Sequence, residues 1–148
     1  MSYLKLTIIN VIIIITKGVD MLCTIALFGE AEKGRLHYPY RFKDLLEMAE
    51  TLGNPPENSK GLLFATQALL YQRELIYLRV AEEGFSLPDY FEGFKFLKDT
   101  FKIPRLDAII LPGVGDQELI EACQPACSIH KSFLILTEKD LFDYLTYR

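Results

Sequence analysis

The sequence has no tryptophan, three cysteines and two histidines in 148 residues. Three cysteines are too few for the dense disulfide framework that stabilises small secreted domains. Cys123, Cys127 and His130 form a C-x3-C-x2-H pattern, which lacks the two closely spaced ligand pairs typical of structural zinc. We therefore predict no metal site from cysteine and histidine, and we interpret the cysteines as reduced, buried side chains.

The chain also lacks an apolar run long enough to span a bilayer, which needs about 20 residues. Its first 20 residues contain a β-branched stretch, with nine such residues among the eleven from Leu6 to Thr16, and Asn10 interrupts it. We interpret residues 1–20 as an apolar extension upstream of a working start at Met21. An additional strand, or a targeting segment, is the alternative, although Thr16-Lys17-Gly18 is a poor signal-peptide cleavage site.

No strong excess of one charge is present, because 16 basic residues face 20 acidic ones and the net charge is −4. A negative protein is repelled by phosphate backbones, so we expect no nucleic-acid partner. We expect no membrane partner either, and a cytoplasmic location. With 50% hydrophobic and 24% charged residues, the composition is that of a globular protein, and residues 21–148 are expected to form a single domain.

Short apolar runs alternate with segments of helical periodicity along the rest of the chain. The runs predict strands at Leu22–Phe28, Leu75–Val80, Asp107–Leu111 and Phe133–Leu136. The periodic segments predict helices at Phe42–Leu52, at Leu62–Tyr71, from Ser86 to Ile103, from Asp116 to Cys123, and from Thr137 to Tyr147. Ser86, Asp116 and Thr137 are expected to cap the last three helices, and Pro125 is expected to break or kink the fourth. This order predicts an α/β domain of three layers, Rossmann-like or flavodoxin-like, with a mainly parallel sheet of about four strands.

Ligands of such sheets bind beyond the carboxyl ends of the strands. The loop after the first strand, Gly29 to Gly34, matches neither the dinucleotide nor the P-loop fingerprint. It nevertheless offers Glu30 as a candidate catalytic base or metal ligand, and Lys33 and Arg35 as cations that could bind phosphate. Aromatic residues interleave with the basic ones in residues 33–43, which favours a phosphorylated, ring-bearing ligand. The alternative is a solvated loop with its tyrosines packed on the core.

A second candidate is the turn Pro112–Glu118. The backbone amides of Gly113 and Gly115 could hold an anion, and Asp116 is a second candidate base or metal ligand. Over this short stretch the sequence resembles the P-G-G-x-G-T-x-x-E signature of lysine-decarboxylase-like nucleotide hydrolases, but Val114 and Asp116 replace motif residues, and no catalytic role is transferred. The alternative is a tight strand-to-helix turn that needs small residues.

Acidic residues follow every predicted strand, at Glu30, Glu82, Glu83, Asp116 and Glu138. Such a rim could hold Mg²⁺, or its members could simply cap helices. We therefore predict a domain that binds a nucleotide-like or phosphorylated metabolite, with Mg²⁺-dependent hydrolase or transferase activity as an extension. The alternative is a regulatory or adaptor domain that acts through protein contacts. The helix stripe Tyr90, Phe94, Leu97 and Phe101 should face the core, while Phe91 and Phe96 either widen that core or form a face for homo-oligomers.

Overall fold

The computed structural model describes residues 23–147, so the predicted extension at residues 1–20 lies outside the described residues. The strands are β1 (Thr24–Gly29), β2 (Pro39–Phe42), β3 (Glu74–Arg79), β4 (Ala108–Ile110) and β5 (Phe133–Ile135). The helices are α1 (Leu45–Leu52), α2 (Gly61–Leu70), α3 (Leu87–Leu97), α4 (Gln117–His130) and α5 (Glu138–Thr146). None of these described helices has the length and apolar character needed to cross a bilayer.

The strands form one mixed sheet in the order β2-β3-β1-β4-β5. β3, β1, β4 and β5 are parallel, and β2 runs antiparallel to β3 at one edge. The prediction of an α/β domain with a mainly parallel sheet is confirmed, but the prediction of four strands is wrong, because the described sheet has five. The missed strand is only four residues long, and its proline occupies the first position, where a strand tolerates the missing N–H.

Alternate residues of the central strand β1 face two separate cores. Ile25 and Leu27 pack under α1, α2 and α5, whereas Ala26 and Phe28 pack under α3 and α4. Because both faces are covered, β1 is buried along most of its length and is an uninterrupted apolar run in the sequence. The result is a helix–sheet–helix arrangement of three layers.

Asp116 and Thr137 cap α4 and α5 as the sequence predicts, each accepting a hydrogen bond from a backbone N–H of the first turn. Ser86 makes no such cap at α3, since its hydroxyl donates instead to the carbonyl of Glu82. The helix start predicted at Ser86 is therefore confirmed, but the predicted side-chain cap is wrong.

The end of α3 also differs from the prediction. The helix stops at Leu97 rather than near Ile103, and Phe101 is 98% exposed although Tyr90, Phe94 and Leu97 are buried as expected. The carboxylate of Asp99 accepts hydrogen bonds from the backbone N–H groups of Phe101 and Lys102. This side-chain turn competes with helical hydrogen bonding and takes Phe101 off the buried stripe.

Pro125 does not end α4, which continues to His130 and stops where Lys131 adopts a left-handed conformation with φ of 56°. A proline inside a helix removes one hydrogen bond and crowds the preceding turn. Here Cys123, Ala126 and Cys127 are buried on either side of it. Burial of that face keeps both halves of α4 on the sheet and offsets the lost hydrogen bond.

Candidate functional site

The strand order changes direction beside β1, because the chain passes from β1 to β3 on one side and then returns to β4 on the other. Crevices at such a point are the usual ligand sites of open parallel sheets. In this molecule the loop that follows β3, residues Glu82–Ser86, fills the place. We refer to it as the Glu83 loop.

The Glu83 side chain points inward and is 9% exposed. Its Oε2 accepts hydrogen bonds from the backbone N–H groups of Glu30 (2.8 Å) and Gly61 (2.9 Å), and its Oε1 accepts one from Lys60 (2.8 Å). Lys60 and Gly61 begin α2, and Lys60 offers no side-chain cap of its own. Glu83 therefore satisfies N–H groups that would otherwise be free at this helix start, and it occupies the position that favours a bound anion.

Two glycines make this arrangement possible by allowing backbones to meet. A Cβ added to Gly29 would lie 2.5 Å from the Cα of Gly61 and 2.5 Å from the Tyr77 hydroxyl. That hydroxyl donates to the Glu30 carbonyl (2.7 Å). Burial and the nearby charge of Glu83 raise the pKa of Tyr77 well above its ordinary value, so the hydroxyl stays a neutral donor.

Two of the sequence-predicted residues meet the Glu83 loop. Glu30 accepts the backbone N–H of Glu83 at its Oε2 (2.9 Å), so the two glutamates exchange hydrogen bonds. Gly113 has a φ of 76° in the turn closed by the Val114 N–H and the Leu111 carbonyl (3.3 Å), and its own carbonyl abuts Gly84. The predicted strand-to-helix turn thus packs against the Glu83 loop.

Asp116 and Gly115 lie beyond this contact and are exposed. The Asp116 carboxylate accepts the Glu118 N–H (2.8 Å) as the cap of α4. A Cβ added to Gly115 would meet no atom within 4 Å. These features are those of a tight strand-to-helix turn, in which small residues and a capping carboxylate begin a helix.

Lys33 and Arg35 lie in the loop between β1 and β2, and both are exposed. The backbone N–H of Lys33 donates to the Leu52 carbonyl (3.0 Å), and the Arg35 guanidinium covers the Tyr38 ring at 4.9 Å. Arg79, which sequence reasoning did not single out, hydrogen-bonds the Gly34 carbonyl from the end of β3. The loop is thus held to α1 and β3, and Arg35 is paired with an aromatic ring.

The acidic rim forms no metal cluster in the part of the chain that the structure describes, since no three His, Cys, Asp or Glu side chains there converge suitably. Glu30 and Glu83 do meet, but both carboxylates accept backbone N–H groups.

A cleft that the sequence did not reveal lies at the β2 edge of the sheet, between α3 and the segment that leads into β2. Its volume is about 320 Å³. It is lined by His37, Pro39, Leu78, Glu92, Gly93, Lys95, Phe96, Asp99 and Lys102. We refer to it as the His37 cleft.

His37 and Asp89 join the two walls of the cleft. The Nε2 of His37 lies 2.5 Å from the Oδ1 of Asp89, and the backbone N–H of Ala81 donates to the other carboxylate oxygen (2.8 Å). Burial would raise the pKa of Asp89, but the hydrogen bonds from Ala81 and His37 and the charge of His37 outweigh it and lower the pKa. His37 itself has a φ of 57°, a conformation that few residues other than glycine adopt.

The rest of the cleft lining combines two lysines, two carboxylates and one aromatic ring. The Lys102 ammonium lies 5.9 Å from the centre of the Phe96 ring, and the Lys102 carbonyl accepts from Arg41 of β2 (3.0 Å). Phe96 is partly buried against the core between α3 and α4, whereas Phe91 is 38% exposed. Phe96 therefore widens the core and also lines the cleft.

In the sequence, Glu92, Lys95, Asp99 and Lys102 have the spacing of an ordinary solvated helix face. Only the pairing of β2 with β3 creates an opposite wall, and that edge strand was not predicted. The signals that the sequence offered were the basic and aromatic residues of 33–43, among them His37, and Phe96.

Comparisons of the chain with models of known protein families, with curated proteins and with solved structures find no match.

Proposed function

We propose that this domain binds a small phosphorylated, ring-bearing metabolite of the nucleotide type, and that the ligand sits in the His37 cleft. The observation that supports this most is the joint presence of three basic groups, two carboxylates and an aromatic ring around one concavity. The basic groups are His37, Lys95 and Lys102.

Each part of such a ligand has a partner in the cleft. Lys95 and Lys102 supply mobile charges for a phosphate, and Phe96 supplies an apolar ring surface. Glu92 and Asp99 accept hydrogen bonds from the amino groups of a base. The volume of about 320 Å³ lies at the lower end of the usual range of about 300–1,000 Å³, which favours a small ligand.

The Glu83 loop argues against the carboxyl edge as the place of binding. An anion there would have to displace a buried carboxylate that already holds three N–H groups. Hydrogen bonds to a charged acceptor each contribute about 1.5–3 kcal/mol. The His37 cleft requires no such exchange, so the proposal differs in place from the sequence expectation but keeps its ligand class.

The experiment is a calorimetric titration of the full chain with AMP, ATP, NAD and inorganic phosphate, each with and without Mg²⁺. The double variant Lys95→Ala/Lys102→Ala should weaken the binding of any ligand found by roughly tenfold or more, about 1.4 kcal/mol. The double variant Lys33→Ala/Arg35→Ala removes the same charge from the sequence-predicted loop and should leave affinity unchanged.

The reverse result, with affinity lost only in the Lys33/Arg35 variant, would place the ligand at the carboxyl edge and overturn the cleft. Absence of heat with all four compounds would overturn the ligand class. A Mg²⁺ requirement would revive the predicted role of the acidic rim.

A second candidate function is a regulatory or adaptor domain. It is favoured by aromatic side chains exposed near α3, namely Phe85 (71%), Phe91 (38%) and Phe101 (98%). Exposed aromatic groups of this kind are typical of contact surfaces. Light scattering of the wild type and of Phe91→Ala tests self-association, and a monomer at all concentrations in both would remove the predicted homo-oligomer.

A further inference from the structure

Helix α4 carries two thiols on its buried face. Cys123 is fully buried, Cys127 is 7% exposed, and their Sγ atoms are 3.8 Å apart. The third cysteine, Cys23, precedes β1 and is half-buried. The chain therefore contains one close thiol pair, and Cys23 is a separate thiol whose reactivity can be compared with that of the pair.

The two thiols differ in chemical character. A hydrogen bond from Cys123 lowers the pKa of Cys127, although burial opposes this. The same hydrogen bond, together with burial, raises the pKa of Cys123. Since thiolate is the reactive form, Cys127 is the better nucleophile and is also the more accessible of the two.

The helix between them is already weakened. Side chains four residues apart on a helix have Cβ atoms about 5–6 Å apart, whereas a disulfide needs about 3.5–4.5 Å. The turn must therefore tighten before the sulfurs can bond. Pro125 lies inside this turn and has no N–H to donate to the Glu121 carbonyl, so tightening breaks one hydrogen bond fewer.

We propose that Cys123 and Cys127 form a peroxide-sensitive thiol pair that closes reversibly into a disulfide within α4. The Cys127 thiolate attacks hydrogen peroxide, so an S–O bond forms, the O–O bond breaks and hydroxide leaves, taking up a proton as water. The Cys123 thiol loses its proton and attacks the resulting sulfenic acid. The S–S bond forms, the S–O bond breaks and a second water leaves. Two thiols and one peroxide thus give one disulfide and two waters.

Formation of the disulfide would change the contact between α4 and α3. His130 ends α4, and its Nε2 donates to the Leu97 carbonyl at the end of α3 (2.6 Å). Tightening the turn at Pro125 shortens the path between Cys123 and His130 and disturbs that contact. The strain also makes the disulfide more easily reduced than a structural one, which suits a reversible site.

The test exposes the full chain, purified with reductant and then freed of it, to hydrogen peroxide, followed by denaturation and alkylation. The mass should show the loss of two hydrogen atoms and two fewer alkyl groups, and dithiothreitol should reverse both. Cys23→Ser should react at the same rate within about twofold, because its pair is intact. Cys123→Ala should form no intramolecular disulfide, and dimedone should trap its Cys127 sulfenic acid.

Three results would overturn the proposal. The first is alkylation of all three thiols in the wild type after peroxide treatment. The second is absence of the disulfide in Cys23→Ser. The third is a Cys127 that remains a sulfenic acid, or is oxidised further, while Cys123 is present. Hydrogen exchange of the oxidised chain adds a structural readout, with faster exchange expected only in α4 and at the α3 end it contacts.

Discussion

The Glu83 loop and the His37 cleft differ in how their polar groups are paired. Around Glu83, each polar group named above finds a partner within the protein, and glycines bring backbones into contact. The His37 cleft, by contrast, is an open space lined by the charged residues Glu92, Lys95 and Lys102. Both regions involve β3. The Glu83 loop follows β3 directly in the chain, and the His37 cleft depends on α3, which comes next, and on the pairing of β2 with β3.

This contrast distinguishes polar groups that stabilise the fold from polar groups that are available to a ligand. A carboxylate that holds three backbone donors contributes to stability and leaves little for a ligand, whereas charged groups around an opening are free to bind one. Mutations in the Glu83 region should therefore act on folding, and mutations in the cleft should act on binding.

The largest expected effect is that of Glu83→Ala. It leaves three backbone N–H groups without an acceptor, and an unsatisfied buried donor costs about 1–3 kcal/mol, so a loss of about 3 kcal/mol in the free energy of unfolding is expected. Urea unfolding measures it.

The neighbouring variant Glu82→Ala is the matched control, because Glu82 is exposed and uses only backbone atoms in the loop. It should change stability by at most about 0.5 kcal/mol. If Glu83 occupies the place of an anion, sulfate should restore more stability to Glu83→Ala than to Glu82→Ala. Equal stability of the two variants would show that the Glu83 hydrogen bonds contribute little.

Gly29→Ala is the next largest. Its new methyl would press on the Gly61 backbone and the Tyr77 hydroxyl, and such overpacking costs about 2–3 kcal/mol where the backbone cannot move. Gly115→Ala lies in open space and should stay within about 0.5 kcal/mol of the wild type. Thermal and urea unfolding of the two variants compare a closely packed glycine with an exposed one. A Gly29→Ala variant as stable as the wild type would contradict the close approach of the Gly29 and Gly61 backbones.

The sequence predicted β1, β3 and β4 because a strand covered on both faces must be apolar throughout, as in Ile25–Phe28. It predicted β5 because Phe133–Ile135 is also an apolar run, although this strand lies at the other edge of the sheet and Phe133 is 65% exposed. It missed β2 because this short strand contains Pro39 and Arg41 and is not an apolar run, so its residues also suit a loop. It misjudged Phe101 because helical spacing alone does not reveal the side-chain turn at Asp99.

The topology of the sheet also made one contact predictable from the sequence. Glu30 and Gly113 follow strands, so the topology rule brings them to one edge, and the structure places both against the Glu83 loop. The inward turn of Glu83 depends on α2 beginning beside β1, which is a tertiary contact with no local sequence signal. The cleft depends on β2 and was missed together with it.

A smaller effect is expected at the Asp89 carboxylate. Its pKa is lowered in the folded protein, so its contribution to stability is present above the ordinary aspartate pKa of about 4 and is lost as the pH falls through the lower folded value. Asp89→Asn should therefore be less stable than the wild type at pH 7, and the difference should vanish in strong acid. Urea unfolding at both pH values measures it, and a difference independent of pH would contradict the role of the charge.

The smallest effect is expected at Arg35, and it bears directly on the comparison between the two regions. Its guanidinium covers the Tyr38 ring at an exposed site, and such contacts contribute about 0.5–1 kcal/mol. Arg35→Ala should lose at most that much stability and leave ligand affinity unchanged, and Arg35→Lys should lose less, since it keeps the cation. Urea unfolding and titration of the same samples separate the two quantities. Unchanged stability with weakened binding would make Arg35 a ligand contact, and the exposed loop rather than the His37 cleft would then be the place where a phosphate is held.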